Sequence, residues 1–145
     1  LSGKPVGRSH LPDERGDVYP EPQEFTKDDF MTRLNDVRDV WMEGLAKIRK
    51  ALGEDHKDFQ NAAICSAAFE SLCNMYEIYF MKKEWDDSKM EDFKAHCRTE
   101  LAIVEKVLPY VAADPEQGWH VEGNFHSFSE ELIEKKIAVL KEILA

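Results

Sequence analysis

The chain has 145 residues, of which 43% are hydrophobic and 33% are charged, as is typical of one globular domain with a substantial core. Its 29 acidic residues outnumber its 19 lysines and arginines, and the formal charge of −10 argues against a nucleic-acid backbone or an anionic membrane as the main partner. A basic protein is the partner that this charge favours, and the alternative is that the acidity serves only solubility.

Residues 1–25 have the composition of an extended arm. They contain four of the six prolines and three of the seven glycines, and they show no apolar period. Such a segment buries too little apolar surface to offset its chain entropy. We therefore expect an extended or disordered Pro-rich arm at 1–25, followed by one helical domain at 26–145.

The first helix is predicted over residues 27–52. Thr26 is a suitable N-cap, and Gly53 supplies a C-terminal stop. Apolar residues recur at steps of three and four, which predicts one inward stripe. Gly44 lies inside this helix at a cost of about 1 kcal/mol relative to Ala, and we take it to mark a close crossing with a neighbour. The stripe consists of Phe30, Leu34, Val37, Trp41, Leu45, Ile48 and Leu52.

The central helix is predicted over residues 56–85, with Asp55 as its N-cap. Its segment 59–81 is apolar on nearly every face, which indicates a helix buried among several neighbours. The length would suit a membrane span, but Glu70 and Glu77 would each cost about 2.5–3.5 kcal/mol inside a bilayer. We interpret the segment as a core helix and predict no membrane partner.

A narrow polar stripe follows the central helix. It consists of Ser66, Glu70, Asn74 and Glu77, at intervals of four, four and three residues. The simplest interpretation is the solvated edge of a buried helix. The alternative is that Glu70 and Glu77 reach a cavity, where desolvation would raise their pKa values and make them proton carriers.

A third helix is predicted over residues 89–112, with Ser88 and Glu91 as a capping box. Its apolar spacing is close to a heptad seam and places Cys97 inward. His96 is the adjacent residue and points about 100° away, so the two do not form a catalytic pair. Pro109 should kink the helix or begin a new turn.

One long connection, 114–128, precedes a last helix at 130–144 that Ser129 can cap. Four helices joined by short, short and long links predict an all-α fold, an up-down-up-down four-helix bundle with an extended Pro-rich N-terminal arm.

The three cysteines form no CxxC pair and are most simply reduced thiols. Cys65 and Cys73 are separated by about 12 Å along one helix and cannot bridge. A disulfide from Cys97 to either of them stays open. A cytoplasmic location is favoured, with the periplasmic and secreted alternatives retained.

The long connection carries the side chains that are best suited to bind a partner or a metal ion. Its exposed aromatic and imidazole groups would be binding anchors. Two imidazoles and a carboxylate, from His120, Glu122 and His126, are also a candidate metal-ligand set. The candidate binding residues are Trp119, His120, Phe125, His126 and Phe128.

No Gly-rich phosphate loop, nucleophile elbow or His-Glu-x-x-His motif is present. The first hypothesis is therefore a non-enzymatic interaction module, of adaptor, inhibitor or immunity type, with a protein partner that is basic. The alternative is a bundle that binds a small molecule or a metal through the His120/Glu122/His126 loop, with enzymatic activity left open. Self-association is a further hypothesis, and the sequence identifies no cofactor.

Overall fold

The computed structural model describes residues 27–114, 120–121, 125–126 and 129–145. The expected arm at 1–25 lies outside these ranges. The helices are α1 (Lys27–Leu52), α2 (Lys57–Lys83), α3 (Met90–Ala113) and α4 (Glu130–Leu144). A 3-10 turn, Asp87–Lys89, precedes α3, and two short strands, β1 (His120–Val121) and β2 (Phe125–His126), lie between α3 and α4.

The predicted all-α four-helix bundle is confirmed. α1 packs along α2, α2 packs against α3, and α3 packs against α4. The Phe30 ring lies 4.6 Å from that of Tyr76, and the Trp41 ring lies 5.3 Å from that of Phe69, so α1 and α2 run antiparallel. Helix α2 therefore has α1 on one side and α3 on another, and α3 likewise packs against two helices, α2 and α4.

The main core belongs to α2, α3 and α4. Val107 of α3 is fully buried, and the side chains around it come from those three helices. Buried apolar area of this kind supplies most of the stabilisation of a domain. The buried cluster consists of Ile64, Ala67, Cys97, Ile103, Val104, Val107, Val111, Ile133 and Leu140.

Helix α1 lies outside this cluster. Met31 is its buried residue, whereas Val37 is 50% exposed and Leu52 is 45% exposed. The expected inward stripe is thus only partly covered, because α1 packs mainly on one helix. Gly44 also differs from expectation. A Cβ atom there would meet no atom within 4 Å among the described residues, so it marks no close crossing within them.

The polar stripe of α2 is only partly solvated. Ser66 and Asn74 are buried, and Glu70 and Glu77 are half-buried. All four lie on the side of α2 that faces the space between α1 and α3. Buried polar groups require hydrogen-bond partners, and the stripe obtains them from α2 itself and from α3.

The predicted N-caps of α2 and α3 are wrong, whereas the predicted N-cap of α4 and the predicted end of α1 at Gly53 are confirmed. The N-cap of α2 is His56, whose Nδ1 accepts from the Asp58 amide at 3.2 Å, rather than Asp55. Before α3, Asp86 caps the 3-10 turn, and Lys89 at the start of α3 makes no side-chain cap. Ser129 caps α4 as expected, accepting from the Leu132 amide at 3.3 Å. Gly53 ends α1 with a φ of 82°.

Helix α3 continues through Pro109 to Ala113, so Pro109 neither ends it nor begins a new turn. No disulfide joins any of the three cysteines, all of which lie in the described ranges. Among the described residues, no helix combines the length and apolarity needed to cross a membrane.

Gly53→Ala should lower the free energy of unfolding by about 1–2 kcal/mol, because a Cβ atom is penalised in the left-handed backbone region. Gly53→Asn should retain more stability, since Asn tolerates this region. Urea denaturation followed by circular dichroism measures both variants. Equal stability of wild type and Gly53→Ala would contradict the backbone assignment.

Candidate functional site

The candidate site is a cleft of about 460 Å³ between α1 and α3, with α2 as its floor. We call it the α1–α3 cleft. Its volume lies in the range of ligand pockets, and its lining mixes carboxylates, amides and apolar side chains. The lining residues are Asn35, Arg38, Asp39 and Met42 of α1, Glu70, Cys73, Asn74 and Glu77 of α2, and His96, Thr99 and Ile103 of α3.

Carboxylates dominate the charge of the cleft. Asp39, Glu70 and Glu77 contribute three, and Arg38 contributes the single cation among the lining residues. The Arg38 guanidinium donates from Nε to Asp39 Oδ1 at 2.8 Å. This hydrogen bond is the largest cause of the raised pKa of Arg38, and the charge of Glu70 adds to it. With three carboxylates and one guanidinium, the lining has a net negative charge.

His96 is held in one orientation by Asn74. The Asn74 Nδ2 group donates to the His96 carbonyl at 3.0 Å and to Glu100 Oε2 at 2.9 Å. Both amide hydrogens are thereby used, so Asn74 Oδ1 must accept from His96 Nδ1, 2.7 Å away. The neutral imidazole then carries its proton on Nδ1 and has a lone pair on Nε2. His96 is thus a positioned polar group of the cleft wall.

Behind this wall lies a buried carboxylate. Glu100 of α3 is 5% exposed and accepts from Ser71 of α2, from Asn74 and from Lys136 of α4. A buried charge without partners would cost several kcal/mol, so these donors are required. The network joins three helices and fixes the position of Asn74, and through it that of His96.

The Cys73 thiol is a protonated group rather than a nucleophile. Burial raises its pKa, and its Sγ lies 3.7 Å from the Leu34 carbonyl oxygen. A reactive cysteine needs a lowered pKa. Cys97 is likewise buried, with a pKa raised by burial. It lies in the core whereas His96 lines the cleft, so the two side chains point apart as predicted.

The sequence-predicted loop site falls largely outside the described residues. Trp119, Glu122 and Phe128 lie outside them, so the predicted metal-ligand set is not assembled in the described part of the chain. The backbones of β1 and β2 pair antiparallel, with His120 opposite His126 and Val121 opposite Phe125. Among the described side chains, no three of His, Cys, Asp or Glu are grouped so as to hold a metal ion. The loop site stays a prediction.

Sequence reasoning singled out Glu70 and Glu77 but missed their partners across the cleft. Asp39 and Arg38 look like ordinary surface residues of an amphipathic helix, and the sequence pattern marks His96 only as the neighbour of Cys97. The available signal was the unusual polar stripe on an otherwise apolar helix. It indicates a side of α2 that no apolar neighbour covers.

Comparisons of the chain with models of protein families, with curated proteins and with solved structures find no match.

Asn74→Ala should lower the free energy of unfolding by about 1–3 kcal/mol, because it leaves the His96 carbonyl and a Glu100 oxygen without a donor. Asn61→Ala is the matched control, since Asn61 is an exposed residue of the same helix. Urea denaturation measures the free energy of unfolding of both variants. A loss no larger than that of Asn61→Ala would show that the amide is not needed by the network.

Stability should fall at alkaline pH, in part through the buried thiols. The pKa values of Cys73 and Cys97 are raised in the fold, so the unfolded chain releases these protons first. Their contribution is complete below the ordinary thiol pKa of about 8.5 and is lost as the pH rises through the folded values. Urea denaturation between about pH 8 and about pH 10 should show a shallower loss in Cys73→Ala/Cys97→Ala than in wild type. If the free energy of unfolding falls with pH at the same slope in both proteins, the thiols do not contribute to the loss.

Proposed function

We propose that the chain is a non-enzymatic protein-protein interaction module that binds a basic segment of a partner protein in the α1–α3 cleft. The observation that carries the proposal is the charge of the cleft. Two half-buried carboxylates, Glu70 and Glu77, lie seven residues apart on its floor, while the guanidinium of the wall is taken by Asp39.

The spacing of the two carboxylates suits an extended or helical basic segment. Residues seven apart on a helix are separated by about 10.5 Å along its axis, which is two helical turns. Lysine or arginine side chains two turns apart on a partner helix would match this distance. Met42 and Ile103 supply apolar contact at the cleft walls, as the apolar part of an amphipathic helix requires.

The charge of the whole chain supports the same partner. A formal charge of −10 attracts a basic protein over a long range and repels nucleic acids. The partly buried position of the cleft carboxylates would strengthen a contact there relative to one on the open surface. Affinity would then come from the cleft, and the association rate from the charge of the chain.

A small-molecule function is the second candidate, and the size of the cleft favours it. A cavity of about 460 Å³ accommodates a small organic cation as readily as a lysine side chain. A metal at His120, Glu122 and His126 stays part of this alternative as a sequence-based hypothesis. Its test is metal uptake by His120→Ala/His126→Ala, which should fall while the helical content is retained.

The test of the proposed function uses synthetic peptides as probes. An amphipathic helical peptide with Lys on its polar face should bind the protein, and the same peptide with Glu in place of Lys should not. Glu70→Gln/Glu77→Gln should weaken binding of the Lys peptide by at least about tenfold, as loss of about 1.4 kcal/mol would produce. Fluorescence anisotropy of the labelled peptide measures the dissociation constants.

The matched control is Glu130→Gln/Glu134→Gln on the exposed surface of α4. It changes the net charge by the same amount, from −10 to −8, at a site remote from the cleft lining. If both double variants lose affinity equally, binding reports only the overall charge and the cleft is not the site. A small polyamine that displaces the peptide would instead favour the second candidate.

A further inference from the structure

The His96 ring offers one nitrogen atom to a ligand in the α1–α3 cleft. Its Nδ1 atom lies 2.7 Å from Asn74 Oδ1 and is committed to that hydrogen bond. Its Nε2 atom forms no hydrogen bond with a described residue and is not a buried atom without a partner, so solvent reaches it. Because His96 is part of the cleft lining, a ligand in the cleft can reach the same atom.

The Asn74 amide fixes this nitrogen as a hydrogen-bond acceptor. Its Nδ2 group donates to the His96 carbonyl and to Glu100 Oε2, so Oδ1 accepts from His96 Nδ1. The neutral ring then has its lone pair on Nε2. Glu100 is itself buried and also accepts from Ser71 and Lys136. The ring is therefore held in place before a ligand arrives, and binding costs it little further freedom.

Glu77 is the lining carboxylate that the described residues leave without a partner. Asp39 accepts from the Arg38 guanidinium at 2.8 Å, and Glu70 accepts from the Ser66 hydroxyl at 3.2 Å. Glu77 forms no hydrogen bond or ion pair with a described residue. It is half-buried, so its charge is screened less than that of a fully exposed carboxylate. Glu77 is thus the anion that a bound cation would neutralise.

The fold brings Glu77 and the free nitrogen of His96 into the same part of the cleft. Glu77 follows Asn74 by three residues on α2, so the two lie on one face within about one helical turn. Helical side chains lean toward the N-terminus of their helix, which directs Glu77 toward the turn that carries Asn74. Since Asn74 contacts the His96 ring, a cation beside Asn74 can meet an anionic oxygen and a neutral nitrogen acceptor together.

We propose that the α1–α3 cleft selects cations that carry N–H groups, namely the ammonium of lysine or the guanidinium of arginine, and that His96 determines this specificity. The inference rests on the proposed function and names the chemistry of the bound side chain. One N–H group of the cation donates to His96 Nε2, while Glu77 supplies the opposite charge. A quaternary ammonium has the same charge but no hydrogen to donate, so it leaves Nε2 without a partner.

Protonation of His96 reverses the character of this atom and leaves its anchor intact. Nδ1 already carries a hydrogen, so the contact with Asn74 persists, whereas Nε2 becomes a donor and the ring gains a positive charge. A bound cation is then repelled, and we expect its affinity to fall on acidification. The charged and titratable groups that line the cleft with the ring or lie near it on α3 and α4 are Arg38, Asp39, Glu70, Cys73, Glu77, Asp92, Glu100 and Lys136.

Two helical peptides of equal charge test the specificity, one with Lys on its polar face and the other with trimethyl-lysine. At about pH 8, where a histidine is neutral, wild type should bind the Lys peptide at least about tenfold more tightly in fluorescence anisotropy. His96→Leu should lose most of this preference, because any steric effect of the methyl groups is common to both proteins. Asn61→Leu is the matched control, since Asn61 is an exposed polar residue outside the cleft lining.

Two measurements on wild type need no variant. Nitrogen-15 NMR of the imidazole should show that the neutral His96 ring carries its proton on Nδ1. The preference for the Lys peptide should shrink as the pH falls from about 8 to about 5, the range in which histidines titrate.

Three results would overturn the inference and leave the proposed function standing: a neutral ring protonated on Nε2, equal binding of the two peptides by wild type, or a full preference in His96→Leu. A Lys peptide that does not bind wild type at all would instead remove the proposed function and this inference together.

Discussion

The buried carboxylate of Glu100 is the constraint on which the arrangement of the other helices depends. A carboxyl group that is 5% exposed needs hydrogen-bond donors on several sides. It receives them from Ser71 and Asn74 of α2 and from Lys136 of α4. Sliding or rotating any of the three helices would leave a buried charge without a partner. The network therefore specifies the register of the α2, α3 and α4 cluster, while apolar burial supplies most of its stability.

Helix α1 contributes no residue to the Glu100 network, and several of its apolar side chains are exposed. It is attached to α2 through aromatic contacts of Phe30 and Trp41 and through the indole hydrogen bond to Ala62. One helical neighbour covers about one face of a helix, so within the described part of the chain neither flank of α1 is closed over by another helix. One flank forms the wall of the α1–α3 cleft, whereas the other carries the exposed Val37 and Val40 beside charged residues.

The sequence is sufficient to predict the helices, but it does not show how much of each helix is covered by its neighbours. Spacings of three and four residues predicted the helices, and Ser129 and Gly53 marked two of their ends, because these signals are local. The role of Glu100 could not be predicted in this way, since its donors lie 29, 26 and 36 residues away in the chain. The same limit applies to α1, because an amphipathic period does not reveal how many neighbours cover the apolar stripe. Val37 is an example, because it belongs to the apolar stripe of α1 and is nevertheless half exposed.

Only part of the candidate site could be predicted from the sequence, for a related reason. Glu70 and Glu77 stand out because polar residues are costly on a helix that is otherwise buried. Their environment depends on α1 and α3, which leave a cleft over that side of α2 instead of closing it. Closure would require α1 to contact α3 directly, and it would remove Glu70 and Glu77 from water at the cost of desolvating two carboxylates. The open cleft is therefore the arrangement that keeps these carboxylates partly hydrated, and it is also the one that leaves them accessible to a cationic side chain.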